Sequence, residues 1–169
     1  SYLDQLIGRV LDTLDASPEG KNTIVVFTAD SGVARGSHGL IGKQNLYEPS
    51  MRVPLVVVGP GIPANRRTDA MCYLFDVLPT LGALSGVPGP KTSEGLDLSA
   101  TLRNPTTPTR PSLMFAYQKV QRGLRDERYK LIRYPHVDRT QLFDLLADPD
   151  ERTDLSTRPE HAARLAAMT

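Results

Sequence analysis

The sequence predicts an α/β protein, with part of a mostly parallel sheet and its flanking helices over residues 1–110. A small antiparallel sheet with a C-terminal helix follows over residues 111–169. Three observations carry this expectation. Two short runs, Ile24–Thr28 and Leu55–Val58, are apolar and β-branched without polar alternation, as strands buried on both faces are. Helix-period apolar stripes flank them at residues 2–14 and 71–84. From Ser112 onward the period changes, and short strand-like runs follow one another at hairpin spacing.

The elements follow in order. Leu3, Leu6, Ile7, Val10, Leu11 and Leu14 recur at three- and four-residue steps and form one stripe, with Asp4, Gln5, Arg9 and Asp12 opposite. Ser17-Pro18-Glu19-Gly20 ends that helix as a turn. The run Ile24–Thr28 is then the first buried strand and Leu55–Val58 the second, closed by Gly59-Pro60-Gly61. In an α/β protein two such strands are expected to run parallel, with ligands in the crevice at their carboxyl ends. Leu74, Val77, Leu78, Leu81 and Leu84 share one face of a helix over Met71–Leu84, with Asp76 as an N-cap and Pro79 in the tolerated first turn. Residues 91–111 are rich in Thr and Pro and read as a surface crossing, with a helical turn around Leu98–Leu102. Leu113–Tyr117, Val120–Leu124, Tyr129–Tyr134 and Gln141–Leu145 are four strand candidates, with Arg125–Arg128 as a hairpin turn. Pro159 opens a terminal helix carrying Ala162, Ala163, Leu165, Ala166 and Met168.

Composition narrows the function classes. With 169 residues, 40% hydrophobic and 23% charged, the chain can bury a sizeable core. A net charge of +1 lacks the basic excess of a general nucleic-acid or membrane-surface binder. No apolar run approaches the roughly 20 residues of a membrane span. The single cysteine, Cys72, has no partner for an internal disulfide and reads as a small buried hydrophobe. The opening Ser1-Tyr2 already lies within a helical pattern, so the start is expected to be a cut one.

The chemistry concentrates between the two apolar runs. Asp30 stands at a strand end and is followed by Ser31, so the pair could form half of a site for a hard, oxygen-seeking cation. Glycines at 32, 36, 39 and 42 punctuate the loop, which also carries His38 and Lys43. A lysine and a histidine there could hold an anion and balance its charge in a transition state. Asp148, Asp150, Glu151 and Asp154 lack the ligand spacing of an EF-hand and read as turn and capping residues. His136 reads as a turn residue and His161 as exposed on the last helix.

The stretch Thr28-Ala29-Asp30-Ser31-Gly32, followed by GSHGLIGKQNLYEPSMRVPLVVVGPG over residues 36–61, resembles the sulfatase family of the alkaline phosphatase superfamily. Further along, DVLPTL at 76–81, Ser93-Glu94-Gly95, RDERYKLIR at 125–133 and QLFDLLADPDERTDL at 141–155 are similar to later motifs of that family. The resemblance runs in order through nearly the whole chain. It implies an alkaline-phosphatase-like sheet and a calcium-dependent hydrolase of aryl or sugar sulfate esters. It also implies roles: Asp30 and Ser31 as calcium ligands, Lys43 as the contact to the sulfate group, and His38 near the pocket. Tyr47, Glu48 and Arg52 match positions that support the loop.

Two departures qualify what the resemblance implies. The family's nucleophile is a formylglycine made within a Cys-x-Pro-Ser-Arg motif, and Cys72, followed by Tyr73-Leu74-Phe75, does not stand in one. The expectation is therefore a C-terminal sulfatase portion with no catalytic residue of its own, inactive by itself, the formylglycine coming from an N-terminal portion. The second departure is Ser31, whose hydroxyl is a poorer calcium ligand than the Asn or His the family places there. Two alternatives stand beside this reading: a phosphate or phosphonate ester hydrolase of the same superfamily, and a degenerate, non-catalytic piece. The resemblance also implies a periplasmic or secreted setting, and strands without neighbours imply association through an uncovered sheet edge.

Overall fold

Ser1 opens the first helix by accepting the Asp4 amide on its hydroxyl. In the computed structural model, which describes residues 1–169, α1 spans Tyr2–Asp15. Its stripe is only partly covered: Leu6, Ile7 and Leu14 are half-buried, while Leu3, Val10 and Leu11 are exposed. A 3-10 turn then leads into β1 (Val25–Thr28). After it come β2 (Ala34–Arg35), β3 (Ile41–Gly42), the single-turn α2 (Glu48–Met51) and β4 (Leu55–Val58).

β1 and β4 pair with each other, and they run antiparallel, with Thr28 opposite Leu55 and Val25 opposite Val58. This corrects the parallel arrangement expected for these two strands. A parallel neighbour needs a crossover that carries the chain back along the sheet, usually through a helix. Residues 29–54 hold only two-residue strands, a 3-10 turn at Ser37–Gly39 and the single-turn α2, so the chain stays at the Thr28 end and re-enters there. The consequence is local. Asp30 lies beside the beginning of β4, and Gly59-Pro60-Gly61 lies at the opposite end of the ribbon.

One face of the ribbon is covered. Val26, Leu55 and Val57 line an apolar crevice with Val77, Thr80 and Leu81 of α3 (Val77–Ser85), together with Leu98 and Leu102 beside or within α4 (Ser99–Arg103). The other face presents Phe27, Val56 and Val58, each about half exposed. α3 begins later than the stripe suggests, after a 3-10 turn at Leu74–Asp76. A helix running from Met71 would put Pro79 in its interior, where the ring meets the carbonyl four residues back and no N–H is available. Asp76 is also not the side-chain cap of α3. Its carboxylate accepts the amides of Tyr73 and Leu96 and a bidentate Arg110, all from a fully buried position.

The second part is a meander in the order β5 (Leu113–Tyr117), β6 (Gln121–Arg125), β7 (Tyr129–Tyr134) and β8 (Arg139–Asp144), every pair antiparallel. Strand alternation splits its side chains cleanly. Leu131 and Leu142 point to one face and pack with Met168 of α5 (Ala162–Met168), with Leu155 and Leu165 beside them. Ile132 and Phe143 point to the other face and pack with Leu46 and Tyr47. The α/β class, the small antiparallel sheet and the terminal helix are thus as the sequence predicts. No helix is long and apolar enough to cross a membrane.

Candidate active site

At the end of β1 the Asp30 side chain is exposed, and its backbone carbonyl accepts a hydrogen bond from Lys43 Nζ at 2.6 Å. The lysine thus reaches across the loop and sets its ammonium beside the strand end. Ser31 is exposed as well, and its hydroxyl donates to the carbonyl of Gly32 at 3.2 Å. Gly32 is required for this geometry. Its amide donates to Ser50 O at 3.1 Å, and a Cβ there would stand 2.1 Å from Pro49 O. Asp30 and Ser31 are therefore held against α2 by a backbone approach that only glycine permits.

Between Asp30 and Lys43 the chain makes a two-strand ribbon, β2 with β3, closed by a turn in which Gly36 has φ +103° and His38 φ +56°. His38 does not join Lys43. Its ring lies flat on Tyr47, with centroids 3.8 Å apart and planes 8° from parallel. Tyr47 is in turn fixed from behind, donating to Gln141 Oε1 at 2.8 Å and accepting from the Tyr134 hydroxyl at 3.3 Å. Burial and this bond raise the Tyr134 pKa, so the phenol stays protonated as a donor. Asn45 completes the support: its amide donates to Ser50 Oγ at 2.8 Å and its oxygen accepts the Tyr47 amide at 3.1 Å.

Glu48 ties the loop to the second sheet. Its amide, the first of α2, donates to Glu151 Oε2 at 2.6 Å. Its carboxylate accepts Lys130 Nζ at 3.0 Å, and Lys130 also lies 2.9 Å from Glu151. Arg125 stands 3.7 Å from Glu48, so two acids face two bases. Tyr47 and Glu48 are supports, as the sequence suggests, whereas the Arg52 side chain is exposed beyond α2.

Glu151 corrects an expectation. It does cap a helix, but that helix is α2, and its side chain is fully buried in an ion pair rather than solvated in its own turn. Asp148 and Asp154 do bind nearby amides, those of Thr153 and of Leu142 and Ser156. His136 is exposed in a turn, but His161 is half-buried at the edge of Tyr129. Sequence reasoning missed Lys130 and Glu151 as parts of this arrangement. The signal was available for Lys130: it shares the inward face of β7 with Ile132, and a lysine there must meet carboxylates.

As donors for a metal, Asp30 and Ser31 supply one carboxylate and one hydroxyl, oxygen ligands of the kind a hard cation takes. No group of three His, Cys, Asp or Glu residues gathers here, and such a cation needs about six to eight oxygens. Asp30 and Ser31 are donors of the right kind for a hard cation but only a part of such a set. Cys72 is half-buried, and burial and Asp76 push its thiol pKa up, the reverse of an activated nucleophile.

Residues 36–169 match the family described as N-sulphoglucosamine sulphohydrolase, C-terminal. The chain belongs to this sulfatase family. Over its whole length it is 35% identical to a choline-sulfatase of Rhizobium meliloti, covering 34% of that protein. It is 33% identical to an N-acetylglucosamine-6-O-sulfatase of Bacteroides thetaiotaomicron, with 96% of the chain and 31% of the relative aligned. The solved structure of BT4656 in complex with its substrate D-glucosamine-2-N,6-O-disulfate superposes with a TM-score of 0.89 at 29% identity, over 98% of the chain and 36% of BT4656. The chain thus spans about a third of the length of the relatives it matches and is the C-terminal portion of a sulfatase.

Proposed function

We propose that this portion contributes the sulfate-binding lysine and part of the calcium site to a sulfuric ester hydrolase acting on aryl or sugar sulfates. One observation carries the reading: Lys43 Nζ is held 2.6 Å from the Asp30 carbonyl, fixing a cation beside a strand-end carboxylate. Lys43 binds a sulfate oxygen and offsets the charge that grows on the equatorial oxygens as the ester bond breaks. Asp30, with Ser31, would hold part of the coordination sphere of a calcium ion, which would supply Lewis-acid stabilisation of those same oxygens. The formylglycine belongs to the N-terminal portion, so residues 1–169 by themselves release no sulfate. His38, held flat on Tyr47, is the loop's second candidate for contact with the substrate. A periplasmic or secreted setting follows from the same family reading.

The test is turnover of an aryl sulfate and a glucosamine sulfate by the full-length protein. Lys43→Ala is expected to lower kcat/KM about 10²–10³-fold, the size of losing one transition-state donor. Unchanged turnover removes the role given to Lys43. Faster hydrolysis of a matched phosphate ester moves the reading to a phosphate or phosphonate hydrolase.

A further inference from the structure

We propose that the buried cluster of Lys130, Glu48 and Glu151 is a positioning device that sets the spacing between Asp30 and Lys43; this rests on the sulfatase reading above. Both halves of the site hang on α2. On one side, Gly32 donates to Ser50 O and lies against Pro49 O, which fixes the Asp30–Ser31 turn to the helix. On the other side, a run of short hydrogen bonds leads from Lys43 into the helix: Asn45 N to Lys43 O at 2.9 Å, Tyr47 N to Asn45 Oδ1 at 3.1 Å, and Asn45 Nδ2 to Ser50 Oγ at 2.8 Å. Lys43 itself is exposed at the far end of that run, with its Nζ on the Asp30 carbonyl.

Four residues of helix cannot hold themselves in place, because so short a segment is far below the length at which helices persist alone. Glu151 caps α2, and Lys130 grips the Glu48 side chain from the second sheet, with 0% of the Lys130 and Glu151 side chains and 11% of Glu48 exposed. Buried charges of this kind have few alternative geometries, because leaving any one unpaired is costly. The cluster therefore admits one seating of α2, and through it one distance between the carboxylate and the lysine. The contacts of Lys130 and Glu151 lie with Glu48 and α2 rather than with Asp30 or Lys43, so the cluster acts on the two site residues only through the helix.

The test uses the full-length protein and two charge-removing variants that keep the side-chain shape, Glu48→Gln and Glu151→Gln. Each is expected to lower kcat on an aryl sulfate about 10-fold with KM within about 3-fold, as misplacement of a reacting-centre group does. In a Lys43→Ala background, Glu48→Gln is expected to cost clearly less than its 10-fold in the wild type, since the part of its effect that runs through Lys43 is already lost. Losses that multiply overturn the proposal, because they mark a merely structural role. A second readout needs no turnover. Amide exchange of residues 30–47 is expected to quicken about 10-fold in Glu151→Gln while β7 and β8 keep their rates. Equal exchange in the loop overturns the proposal. If the wild-type protein hydrolyses no sulfate ester, the functional reading fails, and loop exchange still decides the coupling.

Discussion

At Asp144 one carboxylate is committed in four directions. Oδ2 accepts Arg128 Nη2 at 2.6 Å and Nε at 3.0 Å, and Oδ1 accepts the amides of Leu146 and Ala147. The Arg128 bond above all lowers the Asp144 pKa, against a smaller opposing effect of burial. A depressed folded pKa means that the unfolded chain binds the proton more tightly. The stabilisation is therefore present above the ordinary carboxylate value of about 4 and is lost as pH falls through the lower, folded value. Asp144→Asn is expected to lower the urea midpoint at pH 7, with the gap to wild type narrowing steadily below about pH 4. A gap that stays constant into acid would mean that the amide hydrogen bonds, not the charge, stabilise this turn. The site residues show the same scale of legibility. Asp30 and Lys43 stand out in the sequence because their chemistry is local to one loop. Glu151 does not, because its partner Glu48 lies 103 positions away and nothing in its own turn calls for it.

Among the elements, strands β5 to β8 and helix α1 were readable because period alone specifies them: alternation gives the sheet its two faces, and three- and four-residue steps give the helix its stripe. The direction of β4 against β1 was not. An apolar run carries no mark of direction, and the deciding feature is the absence of any crossover helix in residues 29–54. The late start of α3 was written in Pro79, whose ring forbids a longer helix. α2 depends on partners outside itself, and this makes a prediction at the element scale. Lys130→Met leaves two buried carboxylates facing each other and is expected to cost about 3–5 kcal/mol in urea unfolding of the full-length protein. Combining it with Glu48→Gln and Glu151→Gln removes the three most buried charges, leaves only the partly exposed Arg125, and is expected to restore most of that loss. If the triple variant is as unstable as Lys130→Met, packing of the lysine stem rather than charge pairing is what the site needs.

For the whole molecule, the two parts have unequal cover. The meander is packed on both faces, by α5 on one and by Leu46 and Tyr47 on the other. The β1–β4 ribbon leaves Phe27, Val56 and Val58 half exposed, and α1 leaves Leu3, Val10 and Leu11 in water. Exposed apolar surface of this sort favours association. Residues 1–169 expressed alone are expected to run as oligomers in size-exclusion chromatography and to bind a hydrophobic dye, and the full-length protein to do neither. A monodisperse monomer without dye binding would show that the ribbon is covered within this chain.

The pairing of Glu48 with Lys130 and Glu151 also has a meaning in time. Synthesis proceeds from the N-terminus, so the loop with Asp30 and Lys43 leaves the ribosome long before the last strands exist. Lys130 emerges first, but until Glu151 follows, α2 lacks its cap and Lys130 lacks one of its two buried carboxylates. A chain released a few codons before that point would carry every residue of the half-site and still lack the seat that holds them. Translation must run 103 positions past Glu48 before the site can take shape, and a product ended short of Glu151 is thereby kept from presenting a loosely assembled half-site.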